Sequence, residues 1–304
     1  MKNFIAVAEL RIIRANSRSR HIAITRSTSR AGGDGRKHLQ MIGRALAALI
    51  ALLAAPAVAE PLRDLCPTRP GLGTAPCIID KGHAIAELGF GWTLEKDESS
   101  RTDSFALGNL LVRYGLDDVG EIQAGWTAYG HVRVRDKATG KVTTANGAGD
   151  VAFAYKRSLT GPSNGSFALA VQPFVVVPTG RSLIGSGQWD IGLLMPMSLD
   201  LGERFQLQST PNLDMIGDED GGGRHLAFGD VVGLGVEVAK EVSLTVELAA
   251  FRDQDPSGHS TALLAAASAA WQPGRYLQLD VGGAFGLNQS SPDAHLYFGV
   301  SRRF

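Results

Sequence analysis

The pentapeptide Gly161-Pro162-Ser163-Asn164-Gly165 has the G-x-S-x-G spacing that can mount a serine nucleophile on a sharp strand-to-helix turn. That chemistry needs a helix after the serine. The residues that follow read as a strand, and Gly, Pro, Ser and Asn are all turn formers, so a turn is expected. His259-Ser260 invites a second hydrolase reading, but the sequence offers no identifiable third partner. Asp218-Glu219-Asp220, ahead of three glycines, supplies carboxylates for a divalent cation without the spacing of a calcium loop. It reads as a solvated loop; no catalytic residue, metal or cofactor is expected.

A larger set of polar residues is defined by period instead of by motif. In Arg204–Asp214, Phe205 and Leu207 alternate with Gln206, Gln208, Thr210, Asn212 and Asp214. In Val242–Ala250, Val242, Leu244, Val246 and Leu248 alternate with Ser243, Thr245 and Glu247. Leu277, Leu279 and Val281 alternate with Gln278 and Asp280. Period 2 belongs to strands lying between an apolar and a polar environment. If the polar side faces a hydrated interior, its members are Glu87, Gln123, Asp150, Gln172, Gln208, Asn212, Glu237, Glu247, Gln278, Asp280 and Arg303. A wet lumen tolerates such residues whether or not they form a specific site. Trp92, Trp126, Trp189 and Trp271 fit interface girdles better than ligand stacking.

The elements that would position these residues number twelve. They lie near 82–94, 104–114, 119–133, 150–159, 166–177, 188–201, 204–214, 226–239, 242–251, 261–271, 275–287 and 294–304. Short connections such as Lys240-Glu241 alternate with long polar ones such as 136–149 and 217–225. That asymmetry suits an all-β, closed, up-and-down antiparallel transmembrane barrel, in which every backbone amide must be paired and the last strand must meet the first. Pro173 and Pro196 fall inside expected strands, where bulges or breaks are anticipated. Thr261–Trp271 is Ala-rich, yet its position between two turn signals makes it a strand.

Charge and cysteines agree with export. Residues 1–59 carry ten of the thirty Lys+Arg and two of the thirty Asp+Glu, so the remainder is acidic by eight, which argues against a nucleic-acid partner. Residues 41–59 read as a signal peptide: Arg44, an apolar run from Ala45 to Ala55, then Ala57-Val58-Ala59 before Glu60. Residues 1–40 read as an upstream extension or mis-assigned start, outside the fold. In an oxidising compartment Cys66 and Cys77 are expected to pair, within a periplasmic segment 60–80 that precedes the barrel, 81–304.

The end of the chain, HLYFGVSRRF, sets Leu296, Phe298, Val300 and Phe304 on one face. It resembles the C-terminal signal that the barrel-assembly machinery reads, with Arg302 where an aromatic is common. The opening LCPTRPGLGTAPC, LLVRYGL at 110–116, GAGDVAFAYK at 147–156, VVVPTG at 175–180 and the Phe-ended last strand, in that order, resemble the outer-membrane family described as "MetA-pathway of phenol degradation". The resemblance implies a porin-like channel for passive uptake of small hydrophobic or aromatic molecules. Its partners would be outer-membrane lipid and lipopolysaccharide, the assembly machinery and a small-molecule cargo. The alternatives are a phospholipase-like barrel enzyme, for which no Ser/His pair on adjacent strands is found, and a barrel with a structural or assembly role.

Overall fold

The computed structural model describes residues 62–161, 166–180 and 184–304. Among them are fifteen strands: β1 (Ala84–Lys96), β2 (Ser100–Gly115), β3 (Gly120–Asp136), β4 (Val142–Gly147), β5 (Val151–Ser158), β6 (Phe167–Val177), β7 (Asp190–Leu194), β8 (Met197–Asp200), β9 (Phe205–Ser209), β10 (Asn212–Gly217), β11 (Arg224–Ala239), β12 (Val242–Asp253), β13 (Ser260–Trp271), β14 (Leu277–Gly286) and β15 (Ala294–Arg303). They form one antiparallel sheet that closes on itself. The seam runs from Ile85↔Arg303 to Leu94↔Ala294. It is extended at one end by Phe304 N–H donating to the Ala84 carbonyl (2.8 Å) and Ala84 N–H to that of Phe304 (3.1 Å). Closure pairs every stave of the ring on both sides, the condition for crossing lipid with strands.

The ring has twelve staves because two of them are interrupted and β4 lies off the ring. β7 and β8 are one stave broken at Pro196, and β9 and β10 another broken at Pro211. Register is unchanged across both breaks: β6 pairs Gln172↔Leu194 with β7 and Leu169↔Met197 with β8. β11 likewise pairs Gly229↔Asn212 and Val232↔Ser209. A proline has no N–H to give the ladder, so each break costs pairing locally without re-registering the sheet. The expected interruption at Pro196 is present. At Pro173, β6 runs through unbroken, and the ladder to β5 has a gap between Ala154↔Phe174 and Arg157↔Val171. Pro211, which the sequence reading passed over, makes the second break. β4 is a further departure: part of an expected loop doubles back on the far end of β3, from Gly130↔Gly147 to Arg135↔Val142.

The two faces of the wall are chemically inverted relative to a soluble domain. Outward residues include Leu248 at 62% exposure, Phe298 at 58% and Val281 at 57%, while inward Arg113, Lys156 and Glu121 are at 0%. Phe90 and Phe298 stack across the seam with centroids 5.0 Å apart, on the outer side. Trp126, Trp189 and Trp271 are exposed. Thr261–Trp271 belongs to β13, alternating buried Ala262, Leu264 and Ala266 with outward neighbours. Phe304 lies at the end that carries the Lys240-Glu241 turn between β11 and β12, and the connection from β6 to β7, 178–189, lies at the other.

Candidate functional site

The interior is occupied by the chain's own residues 62–80. This corrects the expectation that the Cys-bearing segment stays outside the barrel in the periplasm. Irregular backbone can enter a strand-lined lumen only if its amides and carbonyls find partners there, and the inward side chains supply them. Three glutamates take the amides. Glu87 on β1 accepts from Thr68 (2.8 Å) and Arg69 (3.0 Å), Glu247 on β12 from Leu72 (2.7 Å) and Gly73 (2.9 Å), and Glu121 on β3 from Ile79 (2.9 Å). The positive φ of Gly71, 100°, bends the chain so that the next two amides face Glu247.

Cationic and amide side chains take the carbonyls. Arg113 on β2 donates to Cys66 O (2.7 Å) and Cys77 O (3.2 Å), and Lys156 on β5 to Ala75 O (2.9 Å). Arg303 on β15 donates to Arg63 O (2.8 Å) and Asp64 O (2.9 Å), and Gln278 on β14 to Arg69 O (2.7 Å). The segment returns charges of both signs: Arg69 Nη2 lies 2.9 Å from Asp280, and Asp80 3.7 Å from Arg303. Gly89 and Gly299 lie beneath the Arg69 guanidinium, and a Cβ at either would collide with it.

The Cys66–Cys77 disulfide closes the segment into a loop whose two cysteine carbonyls share Arg113. Arg113 also donates to both oxygens of Glu121 (2.9 and 3.1 Å), which lies 3.6 Å from Lys156. Charges buried this deeply are stable only as a set, because removing one member strands another without water.

Above the segment the wall changes character. On β11–β14, Val231, Ala249, Phe251, Ala262, Leu264 and Ala284 form a buried apolar cluster with Leu72 of the segment packed against it. A strand such as β12 therefore turns inward first Glu247, then Ala249 and Phe251, from the short-turn end toward the long loops.

Of the eleven candidates, the structure gathers Glu87, Glu247, Gln278, Asp280 and Arg303 on the segment. Gln123 and Gln172 are buried beside them, Gln123 donating to Glu121 at 2.6 Å. Asp150 instead anchors the connection after β6, accepting from Gly180 N and Ser186 N, both 2.7 Å. Asn212 is buried and donates to Asp214 (2.6 Å), and Gln208 donates to Gln206 (2.7 Å), while Thr210 between them accepts from Thr74 N of the segment (3.0 Å). Glu237 is exposed near the end of β11. Leu296 and Phe298 are exposed, with Val300 and Phe304 half-buried on the same face and Arg302 5.6 Å over the Phe304 ring.

The sequence reading missed Arg69, Arg113, Glu121 and Lys156. The signal was present: all but Arg69 sit at inward parity near the short-turn ends of β2, β3 and β5. His259 is exposed in a connection while Ser260 is buried at the start of β13, so the two point apart. Ser163 and residues 1–59 lie outside the described residues.

The sequence matches the family described as "MetA-pathway of phenol degradation" over residues 68–304. No curated protein matches it. Among solved structures, a COG4313 outer membrane channel from Pseudomonas putida F1 is similar at 16% identity and a TM-score of 0.61, covering 82% of this chain and 100% of that one. The transport unit of the autotransporter AIDA-I from Escherichia coli is similar at 9% identity and a TM-score of 0.50, covering 82% and 92%. At these identities the likeness is one of fold.

Proposed function

Because the chain belongs to the "MetA-pathway of phenol degradation" family and has the closed twelve-stranded fold of outer-membrane barrels, we propose that it is an outer-membrane channel for passive uptake of small hydrophobic or aromatic molecules. The observation that carries this reading is the apolar inner cluster of β11–β14, at Val231, Phe251 and Leu264, together with a second at Leu111, Ala152, Ala154 and Val176 on β2, β5 and β6. An apolar solute leaving water gains from such a patch roughly 25 cal/mol per Å² buried. The mechanism is diffusion: no side chain needs to react. Residues 62–80 then act as the constriction, and the inward polar residues that hold them determine how much of the lumen is open.

In this reading residues 41–59 export the chain, the assembly machinery recognises the face carrying Leu296, Phe298, Val300 and Phe304, and the long loops face outward. Swelling of proteoliposomes tests it. Small aromatic solutes should enter faster than charged solutes of equal size, and Phe251→Asp should abolish the preference while leaving the barrel folded. Swelling no faster than protein-free liposomes with every solute, even after removal of residues 62–80, would defeat the channel reading.

A further inference from the structure

The Asp218-Glu219-Asp220 run, which the sequence alone reads as a solvated loop, acquires partners from elsewhere in the fold. His225 at the start of β11 is turned inward and 8% exposed. Its Nδ1 lies 2.8 Å from Asp218 Oδ1 and 3.5 Å from Asp255 Oδ2, and its Nε2 2.9 Å from Asp253 Oδ1. One oxygen each from Asp218 and Asp255 and one ring nitrogen of His225 all lie within 4.8 Å of one another. We propose that Asp218, His225 and Asp255 form a binding site for one divalent cation of the zinc class at the long-loop end of the barrel.

Three features favour a cation over a purely hydrogen-bonded cluster. Two carboxylates converge on a single ring nitrogen, which can offer one proton to only one of them at full strength. Ligand atoms bound at 2.0–2.2 Å to a tetrahedral ion stand roughly 3.2–3.5 Å apart, which these three groups approach with small side-chain shifts. The opposite ring nitrogen faces Asp253, and a carboxylate behind a metal-bound histidine fixes the ring and makes it a stronger ligand. The donors are held from behind as well: Asp255 accepts from Glu219 N (2.8 Å) and Ser257 N (2.7 Å), and the Asp218 carbonyl accepts from Gln188 (2.8 Å).

One imidazole nitrogen with two carboxylate oxygens suits Zn²⁺ better than Ca²⁺, which prefers six to eight oxygens. When the ion binds, Nδ1 gives up any proton to solvent and its lone pair forms the new bond. The ion would clasp the 218–223 and 254–259 connections together above the lumen. This does not depend on what the barrel transports.

The test is titration of the full-length folded protein in detergent with Zn²⁺, and with Co²⁺ as its absorbing counterpart. Expected are one ion per chain and Co²⁺ visible bands of a low-coordinate nitrogen–oxygen site. Both should be lost in His225→Ala and in Asp255→Asn, with a roughly 10–100-fold weakening in Asp253→Asn. His259→Ala, on an exposed histidine of the neighbouring loop, should bind like the parent. Heat-modifiable gel migration checks that each variant is folded, and the near-isosteric Asp255→Asn carries the test if His225→Ala does not fold. No binding by the parent, binding unchanged in Asp255→Asn, or a preference for Ca²⁺ that survives loss of the imidazole would each overturn the site.

Discussion

The two halves of the lumen are built on opposite principles. Toward the short turns the wall presents Glu87, Arg113, Glu121, Lys156, Asp280 and Arg303, all buried, all engaged with one another or with residues 62–80. Toward the long loops, on β11–β14, it presents Val231, Phe251, Ala262 and Leu264. The first half binds a piece of backbone, which demands a donor or acceptor at every step. The second half packs apolar side chains on one another and on Leu72, which needs no donor or acceptor. The difference teaches that inward polarity toward the short turns is a device for holding the chain's own segment, and that under the proposed function a cargo would meet the apolar half.

The largest effect should come from breaking the first half. Arg113→Met removes the cation shared by Glu121 and the two cysteine carbonyls and leaves buried Glu121 with Lys156 as its remaining cation, beside the Ile79 amide and Gln123. A loss of about 3–5 kcal/mol is expected. Urea titration followed by heat-modifiable migration measures it, and single-channel recording should show a higher open probability as the segment loosens. A full-stability Arg113→Met protein with unchanged conductance would mean that the segment is held by something other than this network.

Next is the disulfide. Cys66 and Cys77 close a short loop, and such a bridge stabilises by about 3 kcal/mol. Reduction should therefore release the segment before the barrel unfolds. Alkylation with and without reductant, read by mass, establishes the bridge, and conductance before and after reductant reads the release. Reductant should leave gel migration of the folded barrel unchanged, because no barrel strand carries either cysteine.

A third change leaves both halves alone and tests the outer face against them. Leu248→Arg, at 62% exposure in the middle of β12, should cost about 2–4 kcal/mol near the bilayer midplane. Its neighbour Glu247 points the other way, and Glu247→Gln should leave assembly intact while weakening the hold on Leu72 and Gly73. If Leu248→Arg assembles like the parent and Glu247→Gln does not, inside and outside are misassigned.

The outer face was legible because lipid imposes one rule on every strand: Leu244, Val246 and Leu248 had to share a parity opposite to Glu247. All twelve staves follow from that rule and the turn residues alone. The proline breaks were half legible: Pro196 interrupts its stave, yet Pro173, also in mid-strand, does not break β6. A missing N–H tells which ladder bond is lost and not whether the stave bends. The occupant of the lumen was not legible. Nothing in Leu65–Cys77 has a period, since its amides are matched to side chains on strands scattered round the barrel, Thr68 and Arg69 to Glu87 and Leu72 and Gly73 to Glu247, the last as far as 175 residues away. His225 was hidden for the same reason, because the carboxylates around it come from two connections and the end of β12.

The smallest expected effect concerns acid, at the far rim. Asp97 lies in the connection between β1 and β2. Its burial opposes ionisation, but hydrogen bonds from Ser99 and Ser100, side chain and backbone, outweigh that and hold its carboxyl below the usual aspartate value of 3.8. A carboxyl depressed in the folded state stabilises it above the unfolded pKa and loses that contribution as pH falls through the lower, folded value. The turn should therefore be intact from neutrality down to about pH 4 and loosen below it. Neither half of the lumen contains this group, so conductance at pH 5 should equal that at pH 7 as far as Asp97 is concerned. Asp97→Asn should remove the acid-dependent part of the loop's protection, read by hydrogen exchange of the Ser99 and Ser100 amides at pH 3 and pH 6. If those amides exchange with the same protection at both pH values in the parent, the Asp97 carboxylate is not what holds the turn.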